Sequence, residues 1–156
     1  MNLIAFDQST TATGWCVMDT DNSKIIAYGV IRPPAQNSVN DRTREIIKKC
    51  ITLCTKFEVA FVFIEGIQVQ KNPRVYEVLA GLKGTLEICL EEKGYIVNVV
   101  KSSEWRKRVG IKNNQKRDDL KKQAIGMVKD IYDLDISEDE CEAILFARAY
   151  SARGRE

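Results

Sequence analysis

Two short apolar runs, far apart in the chain, each end on a carboxylate. Asn2-Leu3-Ile4-Ala5-Phe6 runs into Asp7, and Val59-Ala60-Phe61-Val62-Phe63-Ile64 runs into Glu65. Neither run alternates apolar with polar residues, so neither has a face to give to water. That pattern belongs to strands near the middle of a sheet covered on both sides. An acid directly after such a strand is costly to bury unless something compensates its charge. The pair therefore constrains the fold to layers, and it places acids at the end of a sheet.

The remaining segments fill in those layers. Residues 13–19 and 24–31 read as strands with the turn Thr20-Asp21-Asn22-Ser23 between them, which with residues 2–7 suggests an antiparallel meander. Pro33-Pro34 and Gln36-Asn37-Ser38 break the pattern. A helix over 39–56 follows from the stripe Ile46, Ile47, Cys50, Ile51, Cys54. After the strand at 59–64, the spacing of Val75, Val78, Leu79, Leu82, Leu86 and Leu90 predicts a helix over 74–93, stopped by Gly94. Tyr95–Val100 is a fifth strand, followed by a short helix near 102–108, a basic loop at 110–115, and helices near 116–132 and 138–151. The expected fold is α/β: a five-stranded mixed sheet with helices on both faces, in a single domain over 1–156.

Composition removes several classes. Hydrophobic content of 44% and charged content of 29% are those of an ordinary globular chain. No apolar stretch approaches the roughly 20 residues of a membrane span, and the N-terminus has no basic-then-apolar signal pattern, which predicts a cytoplasmic protein with no membrane partner. Five cysteines (16, 50, 54, 89 and 141) form no CxxC pair, and there is no histidine. A zinc site, a disulfide framework and imidazole chemistry are thus disfavoured, and buried thiols in a reducing compartment are expected.

A net charge of +2 conceals a polarity. Residues 101–122 carry nine basic against three acidic side chains, and residues 130–142 carry seven acids and no base. A cationic block beside an anionic one suits a polyanion-binding surface next to a metal site, although either block alone could be a solvated helix face. Within the acidic block, Ser137 and Glu140 form a capping box that opens the last helix and sets Asp139 and Glu142 on one face. Acids in a first helical turn also simply favour the macrodipole. Together with Asp7 and Glu65, however, they make a set of hard oxygen donors suited to Mg²⁺ or Mn²⁺ and to two-metal phosphodiester hydrolysis. The segment Asp7-Gln8-Ser9-Thr10-Thr11-Ala12-Thr13-Gly14 could bring backbone N–H groups to a phosphate, as in the phosphate loops of actin-like ATPases and sugar kinases.

Taken together, Ile4-Ala5-Phe6-Asp7 with Thr13-Gly14, Phe63-Ile64-Glu65 with Lys71-Asn72, Gly110 with Lys116, and Asp139-x-x-Glu142-Ala143-Ile144-x-x-Ala147 resemble the RuvC-type Holliday-junction resolvases of the RNase H-like superfamily. The resemblance implies a Mg²⁺-dependent endonuclease, Mn²⁺ also serving, acting on four-way and other branched DNA. Asp7, Glu65, Asp139 and Glu142 would hold the metal and Lys116 would contact the scissile phosphate. Lys71, Lys101, Arg106, Lys107, Arg108, Lys112 and Arg117, with Gln68, would hold the DNA. It also implies a homodimer, for which the helix at 74–93 offers Leu79, Leu82 and Leu86. Two positions depart from the family pattern. Glu142 stands where aspartate or histidine is usual, and Gln68 stands where bacterial members carry an aromatic wedge. These departures predict a divergent, phage-encoded member acting in its host's cytoplasm on broader branched substrates. The competing expectations are a non-catalytic branched-DNA binding protein and a fragment of an actin-like ATPase or sugar kinase.

Overall fold

The computed structural model describes residues 1–155. Its elements run β1 (Asn2–Asp7), β2 (Thr13–Asp19), β3 (Ile25–Ile31), α1 (Val39–Lys56), β4 (Val59–Gly66), α2 (Pro73–Glu92), β5 (Ile96–Lys101), α3 (Ser102–Val109), α4 (Arg117–Tyr132) and α5 (Glu138–Ala149), with a 3₁₀ turn at Ala152–Arg155. The strands lie in the order β3-β2-β1-β4-β5. Central β1 pairs antiparallel with β2 and parallel with β4, and β4 pairs parallel with β5. The mixed sheet inferred from the sequence is thus observed.

The absence of alternation in β1 has its cause here. Ile4 and Phe6 point into a core shared with α1 and α2, built on Ile46, Cys50, Val62, Ile64, Leu82, Leu86 and Leu90. Leu3 and Ala5 point the other way, into a core with Trp105, Ala124, Val128 and the α5 residues Ile144–Ala147. Both faces of the sheet are dry, as the two unbroken runs require.

Caps fix the helix starts. Ser38 accepts from Asp41 N at 3.1 Å at the head of α1, and Asn72 accepts from Arg74 N at 3.0 Å at the head of α2. Pro73 occupies the first helical position, where no N–H is needed. α5 ends at Ala149, two residues before the expected end, because Tyr150 leaves helical geometry.

One expectation changes. Leu82 and Leu86 are not surplus apolar surface for a partner; both are buried against α1 and β4 in the chain's own core, and Leu79 lines a cavity. Burial of each leucine stabilises the fold by roughly 1.5–3 kcal/mol, so neither is free for another chain. The most exposed large apolar residue of α2 is instead Ile88, near its C-terminal end, 58% exposed.

Candidate functional site

The site begins with strand direction. β1 and β4 are parallel neighbours with Phe6 opposite Ile64, so Asp7 and Glu65 leave the sheet at the same edge. Gln8, itself buried, ties the two strand ends together. Its side-chain amide donates to the Glu65 carbonyl and accepts from Glu65 N at 3.0 Å. The loop that follows is tied to itself: Ser9 Oγ donates to Ala12 O at 2.9 Å and Thr13 Oγ1 donates to Ser9 O at 2.7 Å.

A close approach brings in the other two acids. Gly14 pairs with Asp7 across β1 and β2. A Cβ on Gly14 would lie 2.3 Å from the Asp139 carbonyl oxygen, a separation no side chain tolerates. Glycine at this position lets the first turn of α5 rest directly on the sheet. Ser137 caps that turn, its Oγ accepting from Glu140 N at 3.4 Å and donating to Glu140 Oε1 at 2.7 Å rather than the Glu140 carboxylate closing on the Ser137 backbone N–H. Asp7, Glu65, Asp139 and Glu142 consequently line one cavity of 860 Å³.

Like charge in a shielded place has the expected effect. Burial first, and then the neighbouring Glu65 charge, push Asp7 well above the usual carboxylate range. Burial and the Asp7 charge push Glu142 up to about 8. Glu65 is raised by burial but held back by a hydrogen bond from Trp105 Nε1–H to its Oε1 at 2.7 Å. Trp105 is fully buried and stacks on Phe146 with ring centroids 5.7 Å apart, so its single donor is rigidly aimed. Cationic groups compensate in part. Arg106 lies 3.7 Å from Glu142, and Arg32 lies 3.5 Å from Asp139.

The donor set is all hard oxygen, which suits Mg²⁺ or Mn²⁺, and its raised acids carry charge that a divalent cation would neutralise. The Glu65 and Asp139 charges both act on the buried Asp7 carboxyl and raise it further. No three His, Cys, Asp or Glu side chains among the described residues form a ready-made ligand cluster.

The basic residues divide. Arg106, Arg117 and Gln68 line the carboxylate cavity. Lys101 and Gln68 line a neighbouring groove beside the Gly66–Val69 loop. Lys71, Lys107, Lys112 and Lys116 are exposed and do not line the cavity. Lys116 is the residue before the first turn of α4, and its carbonyl accepts from Leu120 N at 3.0 Å. Arg108 faces away from the acids: its guanidinium lies 4.5 Å from the Tyr150 ring and donates to Ala149 O at 3.5 Å. Three basic cavity residues were not singled out from the sequence as site residues, namely Arg42, Arg74 and Lys121, nor was the indole of Trp105 that bonds Glu65. Lys121 sits inside the basic block, but Arg42 and Arg74 open ordinary amphipathic helices, and nothing in their sequence neighbourhood marks them.

Four acids from three segments at one sheet edge, reached through this strand order, match a known family. The family model for crossover junction endodeoxyribonuclease RuvC matches residues 3–147. The chain belongs to the RuvC family. RuvC of Wolbachia sp. subsp. Brugia malayi is 30% identical over 135 residues, covering 83% of this chain and 79% of that one. RuvC of Ehrlichia canis is 28% identical over 109 residues, covering 66% and 70%. Among solved structures, Thermus thermophilus RuvC in complex with a Holliday junction substrate superposes with a TM-score of 0.77 at 15% identity, covering 98% of this chain and 96% of that one. The fowlpox virus resolvase, solved with Holliday junction DNA, superposes at 0.56 with 15% identity, covering 97% and 94%. The RNase H-like fold expected from the sequence is therefore the RuvC fold, laid out over nearly the whole chain. No helix among the described residues is long and apolar enough to cross a membrane.

Proposed function

We propose that this RuvC-family chain is a divalent-metal-dependent endonuclease that cuts branched DNA, chiefly four-way junctions, at the Asp7–Glu65–Asp139–Glu142 cavity. The observation that carries the reading is the convergence of those four acids on one cavity whose walls are basic. Family membership and the junction DNA bound by two structural relatives support branched DNA as the substrate. Mg²⁺ is the expected cofactor, with Mn²⁺ accepted. When bound, it supplies charge neutralisation and a lowered pKa for the attacking water.

The chain's own residues have definite tasks. Gln8 keeps Asp7 and Glu65 abreast by bonding the Glu65 backbone, and the Trp105 indole N–H orients Glu65 Oε1. Glu142 holds a proton at neutral pH that it gives up when cationic charge arrives nearby. Arg106 and Arg117 on one wall hold the DNA backbone, a largely sequence-independent and salt-sensitive contribution. Lys116 is exposed beside that wall at the head of α4, within reach of an incoming strand rather than of the acids. The working unit is a homodimer in the cytoplasm, so that each copy cuts one of two strands. The free, buried thiols Cys16, Cys50, Cys54 and Cys141 suit that reducing compartment.

The test is cleavage of labelled four-way, three-way and flap DNAs with Mg²⁺ or with chelator. Asp7→Asn and Glu65→Gln are expected to abolish product while junction binding stays at the parent level. A double substitution that still cuts at the parent rate overturns the metal assignment. Binding indifferent to Mg²⁺ with no nicked product from the parent protein would identify a non-catalytic junction binder instead.

A further inference from the structure

The acids have basic neighbours on two sides, and only one side belongs to the basic block of the sequence. On the first side stand Arg106, Arg117 and Lys121 from α3 and α4, of which Arg106 faces Glu142 and Lys121 Nζ bonds Glu138 at 2.7 Å. On the other side the heads of α1 and α2 bring Arg42 and Arg74 to the same cavity. Neither arginine has an ion pair among the described residues. The acids nearest Arg42 in sequence are Asp41, which pairs with Arg44 at 3.0 Å, and Glu45, whose Oε2 lies 3.8 Å from Lys49 Nζ and is itself buried without a hydrogen-bond partner. The first turn of α2 contains no acid.

Arg42 carries the sharper signal. Its Nε is buried and has no hydrogen-bond partner. A buried guanidinium N–H without an acceptor costs on the order of 1–3 kcal/mol, a penalty that a ligand acceptor in the cavity would remove. Two unpaired guanidiniums across a cavity from four acids have no use for a cation and suit an anion that enters with its own charge. Guanidinium forks match phosphate oxygens.

Resting on the nuclease reading above, we infer that Arg42 and Arg74 form a second backbone-phosphate subsite on the α1–α2 wall. One DNA strand is then gripped on both sides of the bond that faces the acids, by Arg42 and Arg74 on one side and by the α3–α4 wall on the other. The grip is by phosphate alone, so it is blind to base sequence.

Binding at graded salt tests this on the full chain carrying Asp7→Asn, which prevents cutting. The probe is a fluorescent four-way junction, with linear duplex of the same length as reference. Removing one arginine–phosphate pairing should flatten the slope of log K against log salt by about 0.9. Arg74→Gln, at an exposed position, is expected to flatten it by about that amount. Arg42→Gln/Arg74→Gln should flatten it by about twice as much, with affinity falling at least tenfold at 0.1 M salt. Lys24→Gln/Lys48→Gln, exposed and away from the cavity, should leave the slope unchanged. Thermal melts establish that the arginine variants remain folded, and Arg74→Gln decides the matter if Arg42→Gln does not fold. Wild-type slope in Arg74→Gln, or equal flattening in the lysine control, overturns the subsite while leaving the nuclease reading intact. Parent protein that yields no nicked product from the junction in Mg²⁺ overturns the nuclease reading, whereas the slope in Arg74→Gln decides the phosphate subsite by itself.

Discussion

At the scale of single residues, the site is governed by what its acids cost when no cation is present. Glu142 is 14% exposed, and its folded pKa of about 8 lies well above that of an unfolded glutamate. The folded chain therefore holds more protons than the unfolded one between about pH 4.5 and 8, and stability falls as pH rises through that window. In chelator, the Tm is expected to be higher at pH 5 than at pH 8.5, and Glu142→Gln should flatten that dependence. Addition of Mg²⁺ should raise the Tm more at pH 8.5 than at pH 6, because binding has to displace protons at the lower pH. A melt that is flat in pH for the parent would remove Glu142 as the source. Trp105 makes a different contribution. Its N–H donates to Glu65 Oε1 at 2.7 Å, and Trp105→Phe keeps most of the packing on Phe146 while removing that donor. The change should cost about 1–3 kcal/mol of stability. It should also weaken Mg²⁺ binding roughly 10–100-fold by calorimetry, as loss of an orienting partner does in metal sites. Unchanged Mg²⁺ affinity would leave Trp105 as a core residue only.

At the scale of elements, the site depends on a contact between a strand and a helix that is held open by a missing side chain. Gly14→Ala places a methyl 2.3 Å from the Asp139 carbonyl oxygen, and neither the sheet nor the capped first turn of α5 can give way cheaply. Overpacking of this kind costs about 1–3 kcal/mol. A shift of α5 by an ångström would misplace Asp139 and Glu142 together, with a cleavage loss on the order of 100-fold. Activity near the parent's in a Gly14→Ala variant would mean that α5 need not rest on β2. This contact also separates what the sequence could and could not disclose. Strands, caps and the four acids are local signals: unbroken apolar runs, Ser137 with Glu140, an acid at a strand end. The direction of each basic side chain is not local. Arg106 and Arg108 are two positions apart on α3, about 200° around the helix, and one meets Glu142 while the other packs on Tyr150. Lys116 and Lys121 also part ways: Lys121 on α4 reaches the cavity, and Lys116, just before α4, stays outside it. Charge density along the chain locates the wall, but only the packing of α3 and α4 on α5 selects its members. Arg42 and Arg74 lie on helices that cover the other face of the sheet from α3, α4 and α5, so no local signal ties them to the basic block.

At the scale of the whole molecule, the proposed cutting of two strands of one junction calls for two cavities, and α2 is the element on which we place the pairing. Its inward leucines are consumed by the core, but its outward side presents Ile88 at 58% exposure with Gly84 one turn and Gly81 two turns earlier. A Cβ at either glycine would meet nothing within 4 Å, so within the chain these positions are open. A second α2 crossing there could approach closely, with Ile88 of each copy seated near the glycines of the other, a self-complementary arrangement of the kind a two-fold dimer needs. Ile88→Lys removes that contact at little internal cost, since surface changes of this type usually stay within about 0.5 kcal/mol for the isolated chain. The parent is expected to sediment as a dimer and Ile88→Lys as a folded monomer with an unchanged circular dichroism spectrum. On a supercoiled plasmid carrying an extruded cruciform, paired cuts by the parent give linear product. A monomer cuts once and releases the supercoiling, so the cruciform reabsorbs and nicked circles accumulate. A variant that remains dimeric and still yields linear product would move the interface off this face of α2, leaving the four acids and their cavity untouched.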